Sequence, residues 1–512
     1  MGVRNILNQL KKFSFFDTFK HASTYFSGTI LVHMLGIITL PVFTAYLTPD
    51  EYGIVNVFTS YITVVAVLLS LSLHASITRY YFEEDKVDFE EFLGSIFITI
   101  SLLFWTQGGI IFFFKDKVAI LVNLPVHLIG WLIFTTYLVV VYSFYCQILV
   151  ATKESRRYAT LQVILQYGKF GCTMLGLIYF SNTIYMQGGV ETSYTFMGKI
   201  IGEWFGAFVL MLYVLTQLRK HISFKRLSFL HIKYALVYSI PLIPFALSNH
   251  ILTSFDQWFI NSTIGHAETG QYAFAYKIAM IYQGLVLALM NGARPTYYDY
   301  MNKKDYKEVG KQVESMTKLL ILGAGFLILF AVDAGTLLSS SPLFLEALPI
   351  APVIVGAYVF YGVSSFANRG IFYVKKNSYL AGIVLASGFI NIFLNWYFIK
   401  IKGYSYQAAA YTTLGSYIIM MLFSIFVTKY ILKLPPLPLG RILKYIVLLG
   451  IIIAVNYTLG EPNIGLHIGW IIFKGGLFIV LGLLLFYDKL GFLLKAPLRE
   501  QQEDILDQPE ND

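Results

Sequence analysis

Charged side chains within long apolar segments are the residues of this chain best placed to do chemistry. Four are lysines and two are acids: Lys169, Lys199, Lys277, Lys474, Glu203 and Asp256. An ionised side chain is costly in hydrocarbon, so such residues mark pathways for ions or charged substrates unless they pair with one another. A lysine there can hold an anionic group as a point charge, and a carboxylate can take up a proton or a sodium ion. The surplus of lysines favours an anionic substrate.

Sequence spacing leaves an ion-pair interpretation open for several of these residues. Lys199 and Glu203 are four residues apart and would share one helix face as an i,i+4 pair. Asp256 and Lys277 flank the same turn between two helices, so they either pair with each other or act separately on an ion and an anion. Lys169 has no acid within helical reach, so we expect it to face a cavity or a partner on another helix.

Three further candidates lie in or near predicted membrane helices. His33 is either a proton-linked switch or a hydrogen-bonded core histidine. Asp333 and Arg369 lie near helix ends, where a role in a pathway competes with ordinary interfacial placement.

Two arginines end predicted spans on the cytoplasmic side. Arg79 and Arg294 are either simple positive anchors or residues with a matched role in two copies of one unit. In the second case they hold two halves together through neighbouring acids, or they bind an anionic group at the inner mouth. The neighbouring acids are Glu83, Glu84 and Asp85.

The elements that must position these residues are membrane helices. Of the 512 residues, 57% are hydrophobic and 13% are charged, whereas soluble domains carry about 25% charged residues. A helix of about 20 residues crosses a bilayer, and the pattern predicts about fourteen such spans: 22–47, 54–80, 92–114, 126–150, 158–180, 195–217, 235–260, 271–296, 314–336, 349–374, 380–400, 407–431, 443–460 and 466–487. The fold class is therefore an all-α polytopic membrane protein, with Cys146 and Cys172 as free buried thiols.

Prolines predict bends in two of these spans. Pro41 in the first span and Pro241 with Pro244 in the seventh are expected to bend or break their helices. Broken helices at corresponding positions of two repeats mark a binding site in many transporters. These prolines lie at different distances from the repeated glycines described below, so the correspondence is partial.

The distribution of positive charge predicts the orientation. With the N-terminus inside, most of the 38 Lys and Arg residues fall at inner loops or termini, and the outer loops hold Lys115, Lys117, Lys400 and Lys402. Because cations accumulate on the cytoplasmic side of membrane proteins, we expect both termini to be cytoplasmic. The net charge of +9 then reflects topology, and we expect no nucleic-acid partner.

The expected organisation is two pseudo-symmetric six-helix lobes plus an appended C-terminal helix pair. Its parts are a cytoplasmic amphipathic N-terminus (1–21), an N-lobe of helices one to six (22–217), a basic cytoplasmic linker (218–234), a C-lobe of helices seven to twelve (235–431), helices thirteen and fourteen (443–487) and an acidic cytoplasmic tail (488–512).

An internal repeat supports the two lobes. Glu51-Tyr52-Gly53 opens an apolar segment that ends near Arg79, and Glu268-Thr269-Gly270 opens another that ends near Arg294. The arginine follows the glycine by 26 residues in the first copy and by 24 in the second. In each copy we expect an acid-x-Gly turn that leads into a membrane-length helix. Duplicated halves are typical of transporters that bind cargo between them.

Two segments resemble a known family. Segment 36–53 resembles the first-hairpin signature of the polysaccharide-biosynthesis flippases. Segment 256–277, with Asp256, Gly265 and the run from Gly270 to Lys277, resembles the seventh-helix pattern of that family. The Arg79-Tyr80-Tyr81 end of the second span is similar as well. This oligosaccharide flippase branch belongs to the multidrug/oligosaccharidyl-lipid/polysaccharide exporter superfamily.

The resemblance implies a flippase that moves an undecaprenyl-diphosphate-linked oligosaccharide repeat unit from the inner to the outer leaflet by alternating access. Such a protein serves O-antigen, capsule or exopolysaccharide synthesis in the bacterial cytoplasmic membrane. Membrane lipids and other polysaccharide-assembly membrane proteins are expected partners. The sequence shows no nucleotide-binding glycine loop, metal-ligand cluster or nucleophile triad, so we expect no cofactor, no metal and no catalytic residue. The energy is then expected to come either from a gradient of a coupling ion, H+ or Na+, or from the gradient of the cargo. The candidate pathway residues are Asp256, Lys277, Lys169, Lys199, Glu203, His33, Arg79, Arg294 and Arg369.

Two other functions stay open at the level of sequence. A drug/cation:ion antiporter of the same fold predicts an acidic cavity, which the surplus of lysines disfavours. A membrane-embedded polysaccharide polymerase or ligase predicts a large outer loop with catalytic residues, whereas the longest expected outer loops are the short segments 115–125, 181–194 and 337–348. We therefore expect a transporter and not an enzyme.

Overall fold

A computed structural model describes residues 35–83, 88–181, 184–187, 190–223, 227–458 and 467–506. The predicted N-terminal segment 1–21, His33, and the acids Glu84 and Asp85 lie outside these ranges, as does the end of the tail. Within the described ranges the chain is helical, apart from its connections and one small β-hairpin.

The helices follow the apolar segments of the sequence. In chain order they are α1 (Leu35–Tyr46), α2 (Pro49–Ser70), α3 (Ser76–Glu83), α4 (Phe89–Phe113), α5 (Lys115–Val122), α6 (Val126–Ala151), α7 (Ser155–Ser181), α8 (Thr195–Leu218), α9 (Phe229–Ser239), α10 (Ile243–Thr263), α11 (His266–Asn302), α12 (Tyr306–Leu338), α13 (Ala351–Tyr373), α14 (Asn377–Asn395), α15 (Ala408–Phe426), α16 (Leu439–Thr458) and α17 (Ile468–Leu506).

Among the described residues, 12 helices are long and apolar enough to cross a membrane. This confirms a multi-pass α-helical membrane protein. Two of the fourteen predicted spans differ from that set. The first is described only from Leu35, as the short helix α1, and the seventh consists of two pieces, α9 and α10.

The prolines of the seventh span interrupt it, as predicted. A 3-10 turn over Ile240–Leu242 contains Pro241 and separates α9 from α10, and Pro244 lies in the first turn of α10. Pro41, in contrast, lies within an α1 that is continuous from Leu35 to Tyr46. The expected break at Pro41 is therefore absent from the described part of the first span.

The predicted second span, 54–80, is wrong as a single helix. It stops at Ser70, passes through Leu71 and Ser72 with φ of 48° and 51°, and resumes as α3 at Ser76 after a 3-10 turn. Left-handed φ is costly for residues other than glycine, so the surrounding structure must hold this break. Leu73, within the break, is fully buried, and its burial against the core supplies such a restraint.

The hairpin is the one departure from an all-α fold in the described residues. Strands β1 (Ile184–Gln187) and β2 (Val190–Ser193) pair antiparallel, with Ile184 opposite Ser193 and Gln187 opposite Val190. The sequence between the strands is Gly188-Gly189, a residue pair favoured in two-residue hairpin loops. The outer segment 181–194 was expected only to be short.

The chain divides into two compact units. Unit 1 comprises Met1–Lys277, Leu338–Ala347 and Ala381–Thr412, and unit 2 comprises Ile278–Leu337, Leu348–Leu380 and Thr413–Asp512. The two six-helix lobes and their boundaries stay a prediction. The interactions described below lie within one unit or the other.

Candidate substrate and ion pathway

In unit 1 the two repeated glycines pack against each other. A methyl group placed on Gly53 would lie 1.9 Å from the His266 carbonyl oxygen, and one placed on Gly270 would lie 1.8 Å from the Pro49 carbonyl oxygen. Each glycine thus faces the first residue of the other helix, so the crossing of α2 and α11 is nearly symmetric. Only glycine allows backbones this close. The expected acid-x-Gly turns are wrong in detail, because both glycines lie within helices.

Glu51, the acid of the first copy, fixes the start of α2. Its side chain accepts the Thr48 backbone N–H at 3.1 Å, while the Thr48 hydroxyl accepts the Glu51 N–H at 3.3 Å. This reciprocal arrangement is a capping box. The second carboxylate oxygen accepts the Phe196 N–H at 3.4 Å, at the first turn of α8. Glu51 therefore ties the crossing to the helix that carries Lys199.

Segment Leu338–Ala347 of unit 1 covers the crossing. The Phe344 ring is fully buried between Tyr52 and Phe274, with ring centroids 5.6 Å and 5.3 Å away. The Ser340 hydroxyl donates to the Pro41 carbonyl oxygen at 2.9 Å, and the Ser340 N–H donates to the Thr44 hydroxyl at 2.9 Å. The segment thereby fastens α1 beside the two repeat helices.

A glycine seam brings α7 against α8. On α8, Gly198, Gly202 and Gly206 recur every four residues, the small-xxx-small spacing that allows membrane helices to approach closely. A methyl group on Gly198 would lie 2.5 Å from the Gly176 carbonyl oxygen, and one on Gly206 would lie 2.8 Å from the Lys169 Cα. The seam therefore places Lys169 beside the helix that carries Lys199 and Glu203.

Three of the predicted lysines and one predicted acid form a cluster in unit 1. The predicted pair of Lys199 with Glu203 is present, with 4.0 Å between Nζ and Oε1. The Lys199 ammonium also lies 4.3 Å from the centre of the Phe43 ring. Lys277 interacts electrostatically with Glu203, and both Lys277 and Lys169 lie within electrostatic range of Lys199. This cluster therefore has more cations than acids.

Lys277 has an unusual environment within this cluster. Its side chain is exposed. Because Lys199 beside it is buried, Lys277 is the member of the cluster most accessible to a soluble or headgroup anion.

Asp256, only 5% exposed, lies in a separate network of buried polar groups in unit 1. Its carboxylate accepts the Tyr272 hydroxyl at 2.8 Å and the Asn395 side-chain amide at 2.7 Å. The Asn395 amide oxygen accepts the Thr412 hydroxyl at 2.7 Å, and the Asn395 amide also donates to the Asn391 oxygen at 3.3 Å. Both of these recorded partners of the carboxylate are neutral. Carboxylate, amide and hydroxyl oxygens are the donor set preferred by small hard cations.

The suggested pairing of Asp256 with Lys277 is wrong for the described structure. Asp256 is held by Tyr272 and Asn395, and Lys277 is directed toward the Glu203 cluster. The two residues flank one inter-helix turn but serve different polar groups. The alternative, in which they act separately on an ion and an anion, stays a prediction.

The predicted arginines occupy different environments. The exposed Arg79 guanidinium lies 5.3 Å from the centre of the Tyr238 ring, and its proposed acid partners Glu84 and Asp85 lie outside the described residues, as does the side chain of Glu83. Arg294 is exposed and donates to the Asn291 side chain at 3.0 Å. Arg369, in unit 2, is only 4% exposed.

Asp333 belongs to an ion pair that fastens the appended helices in unit 2. Its carboxylate accepts the fully buried Lys474 ammonium at 2.8 Å, joining α12 to α17. Near the other end of α12, Glu314 accepts Arg441 and the Tyr445 hydroxyl of α16. The two acids are 19 residues apart, a helical rise of about 28 Å, close to the hydrocarbon thickness. Asp333 and Lys474 therefore pair with each other and connect α12 with α17.

Replacing Asp333 alone with asparagine is expected to destabilise the protein by about 3–5 kcal/mol, because it leaves a buried lysine without its carboxylate. The double replacement Asp333→Leu with Lys474→Met is expected to recover most of that loss. Thermal unfolding of the purified protein in detergent measures both. A double variant no more stable than Asp333→Asn would contradict the pairing as the source of the loss.

Comparison of the sequence with known protein families identifies the family of this chain. Residues 19–296, more than half of the chain, match the family described as polysaccharide biosynthesis protein. The chain belongs to this family. No curated protein sequence matches it.

Solved structures with the same fold are membrane transporters. This polysaccharide biosynthesis protein is similar to "Lipid II flippase MurJ, inward closed conformation", with a TM-score of 0.71 and 16% identity over 91% of this chain and 99% of that one. It is also similar to an inward-facing multidrug resistance MATE family transporter of the MOP superfamily, with a TM-score of 0.62 and 13% identity over 80% of this chain and 94% of that one. A MOP superfamily transporter from Pyrococcus furiosus has a TM-score of 0.56 and 14% identity over 80% of this chain and 94% of that one. At these identities the likeness shows the fold alone, and it confirms the predicted all-α polytopic membrane protein.

Sequence reasoning missed the partners of Asp256 in this family member. Asn391 and Asn395 are four residues apart in an otherwise apolar helix, and polar amides at that spacing share one face. That pattern was a usable signal for a buried polar site. The glycine spacing of α8, at Gly198, Gly202 and Gly206, was a second one.

Proposed function

We propose that this protein is a flippase that moves an undecaprenyl-diphosphate-linked oligosaccharide repeat unit from the inner to the outer leaflet of the bacterial cytoplasmic membrane. In this proposal both termini are cytoplasmic and the product serves a surface polysaccharide such as O-antigen, capsule or exopolysaccharide. Membership of the polysaccharide biosynthesis protein family and the transporter fold support it. Other polysaccharide-assembly membrane proteins are its expected partners.

The observation that carries the proposal is the lysine cluster. Lys199 and Lys277 both interact with Glu203, and Lys169 lies within electrostatic range of Lys199, so these four residues carry a surplus of positive charge. Lysines bind phosphates as point charges, and a diphosphate needs such a surplus to leave water. An exporter of organic cations would need the opposite balance, so the cluster favours an anionic cargo over the antiporter alternative.

The same proposal includes coupling to an ion at Asp256. The buried carboxylate, the two asparagine oxygens and the Thr412 hydroxyl lie together. This network offers the oxygen atoms that a sodium ion needs, and a carboxylate that a proton can neutralise. The lysine cluster and the Asp256 network consist of different residues, and in this proposal the first binds the cargo and the second binds the ion.

A deletion strain tests the function as a whole. We expect lipid-linked repeat units to accumulate in the inner leaflet when the gene is deleted, and surface polysaccharide to fall, because cytoplasmic synthesis continues without export. Accessibility of the saccharide to a membrane-impermeant lectin or glycosidase, in right-side-out spheroplasts, reports the leaflet. Normal surface polysaccharide in a strain that has no second flippase would overturn the proposal.

Each single substitution that neutralises a lysine of the cluster is expected to weaken cargo binding. Each of Lys199→Gln and Lys277→Gln removes a charge-assisted contact worth about 1.5–3 kcal/mol, equivalent to about tenfold or more in affinity. Binding of undecaprenyl diphosphate to the purified protein measures the change, and Lys115→Gln, at an outer position of α5, is the matched control. Affinity that is the same in all three variants and the wild type would refute a role for the cluster in diphosphate binding.

A further inference from the structure

Arg369 of α13 is a buried cation with most of its hydrogen-bonding capacity unused. One terminal nitrogen, Nη2, donates to the Met290 carbonyl oxygen at 2.8 Å and lies 3.4 Å from that of Leu289. The other two nitrogens, Nε and Nη1, are buried and make no hydrogen bond within the described part of the chain. The described residues also provide no carboxylate within ion-pairing distance of this arginine.

Hydrogen bonding to the carbonyl groups near Pro295 of α11 explains only part of the environment of Arg369. Pro295 lacks the backbone N–H of its turn of α11, and carbonyl groups near such a proline need other donors. The Gln312 side-chain amide of α12 donates to the Ala293 carbonyl oxygen at 3.0 Å. In the same way, Nη2 of Arg369 donates to the Met290 carbonyl oxygen. A neutral amide is therefore sufficient for this task at one of the two carbonyls. The charge of Arg369 and its two unused nitrogens require another explanation.

Three of the five N–H groups of the guanidinium, one on Nε and two on Nη1, are thus unused. Nε and Nη1 lie on different edges of the group, so each can donate its own charge-assisted hydrogen bond to an oxyanion. The Phe366 and Tyr297 rings lie over the guanidinium, with centroids 5.4 Å and 5.9 Å from its central carbon. Cation–π contact with such rings stabilises the charge of a buried guanidinium.

A second cation lies near by. Arg294 of α11 is within electrostatic range of Arg369, and its own recorded partner is the neutral side chain of Asn291. Two like charges repel each other, and a bound anion relieves that repulsion. Arg294 is exposed whereas Arg369 is buried, so Arg294 meets an incoming anion first.

We propose that Arg369 and Arg294 form a second anion site in unit 2, which binds the phosphate group of a lipid headgroup. The lipid is either the diphosphate-bearing cargo or an anionic phospholipid, since both present the same oxyanion chemistry. Its assignment to the cargo rests on the flippase function proposed above. Because Tyr297 covers the guanidinium, binding at Arg369 requires a displacement of that ring and couples anion binding to α11.

Binding to the purified full-length protein in nanodiscs tests the site. The probes are undecaprenyl diphosphate, phosphatidylglycerol and the neutral lipid undecaprenol. We expect Arg369→Gln and Arg294→Gln each to lower the affinity for at least one phosphate-bearing probe by about tenfold, as for loss of one charge-assisted contact. Lys376 is an exposed cation shortly after α13, and Lys376→Gln is expected to leave the affinity for both phosphate-bearing probes unchanged. A loss confined to undecaprenyl diphosphate identifies cargo, and a loss that includes phosphatidylglycerol identifies a headgroup site.

Stability measurements separate this proposal from a purely structural role. Arg294→Gln changes an exposed residue and is expected to leave the unfolding temperature unchanged while it lowers affinity. If Arg369→Gln and Arg294→Gln both bind the two phosphate probes as the wild type does, the anion site is refuted, whatever happens to unfolding. The flippase proposal fails by a different result, normal export in the deletion strain, so the two failures are distinguishable.

Discussion

Gly270→Ala is expected to remove most export activity and to lower the unfolding temperature. The new methyl group would lie 1.8 Å from the Pro49 carbonyl oxygen and 2.9 Å from the Gly53 nitrogen. Overpacking costs about 1–3 kcal/mol where side chains can yield. Here the neighbours are backbone atoms, so two helix axes must separate instead. Gly53→Ala, with 1.9 Å to the His266 carbonyl oxygen, is expected to have the same effect.

Gly284→Ala is the matched control in the same helix. A methyl group at Gly284 meets nothing within 4 Å, and alanine is favoured over glycine in a helix interior by about 1 kcal/mol. The control is therefore expected to keep or raise the unfolding temperature. Surface polysaccharide restored in the deletion strain, together with thermal unfolding of each purified variant, measures both effects. Gly270→Ala that behaves like Gly284→Ala would show that the close crossing is not required.

Substitutions at the crossing of α2 and α11 are expected to have a large effect because other contacts within unit 1 depend on the same packing. The Trp258 and Tyr61 rings stack with centroids 5.1 Å apart, and the Trp258 indole N–H donates to the Ser60 hydroxyl at 2.5 Å. Asn123 and Asn261 each donate a side-chain hydrogen bond to the backbone carbonyl of the other, at 2.7 Å and 3.1 Å. These contacts join α2 and the α5–α6 connection to α10, which precedes the second copy of the repeat.

Features with a local cause could be predicted from the sequence. Apolar length predicts the helices, because each must satisfy its backbone hydrogen bonds within lipid. The break in the seventh span follows from Pro241, which has no N–H to donate. The pair of Lys199 and Glu203 follows from helix periodicity alone. The repeated glycines were recognised as a pattern, although their direct contact was not.

Features that depend on tertiary contacts could not be predicted from the sequence. Leu71 and Ser72 have no intrinsic preference for the left-handed conformation, so the break in the second span depends on surroundings that the sequence does not display. Lys474 and Asp333 are 141 residues apart, and Asp256 and Asn395 are 139 apart. Periodicity relates residues within a helix and says nothing about which helices are neighbours. The partner of a buried charge is therefore the information that sequence reading most often lacks.

Asp256→Asn is expected to abolish ion-driven export while the protein stays folded. Asparagine has nearly the same shape, and its side-chain oxygen can still accept a hydrogen bond from Tyr272 or Asn395. It has no negative charge, however, so it cannot hold a sodium ion or a titrating proton. Loss of a contact to a charged group is worth about 1.5–3 kcal/mol, or tenfold or more in ion affinity. Asp299→Asn, in an exposed ion pair with Lys303, is the matched control.

Transport by proteoliposomes under an imposed sodium or pH gradient measures the coupling. The wild type and Asp299→Asn are expected to respond to one of the two gradients, and Asp256→Asn to neither. A full response by Asp256→Asn would exclude this carboxylate as the coupling site. Thr412→Val then identifies the ion, because it removes a hydroxyl oxygen and leaves the carboxylate in place. A sodium site loses a potential ligand and weakens, whereas a carboxyl group that takes up a proton needs no such ligand and keeps its response. The neutral neighbours of Asp256 thus determine which ion the charge can use.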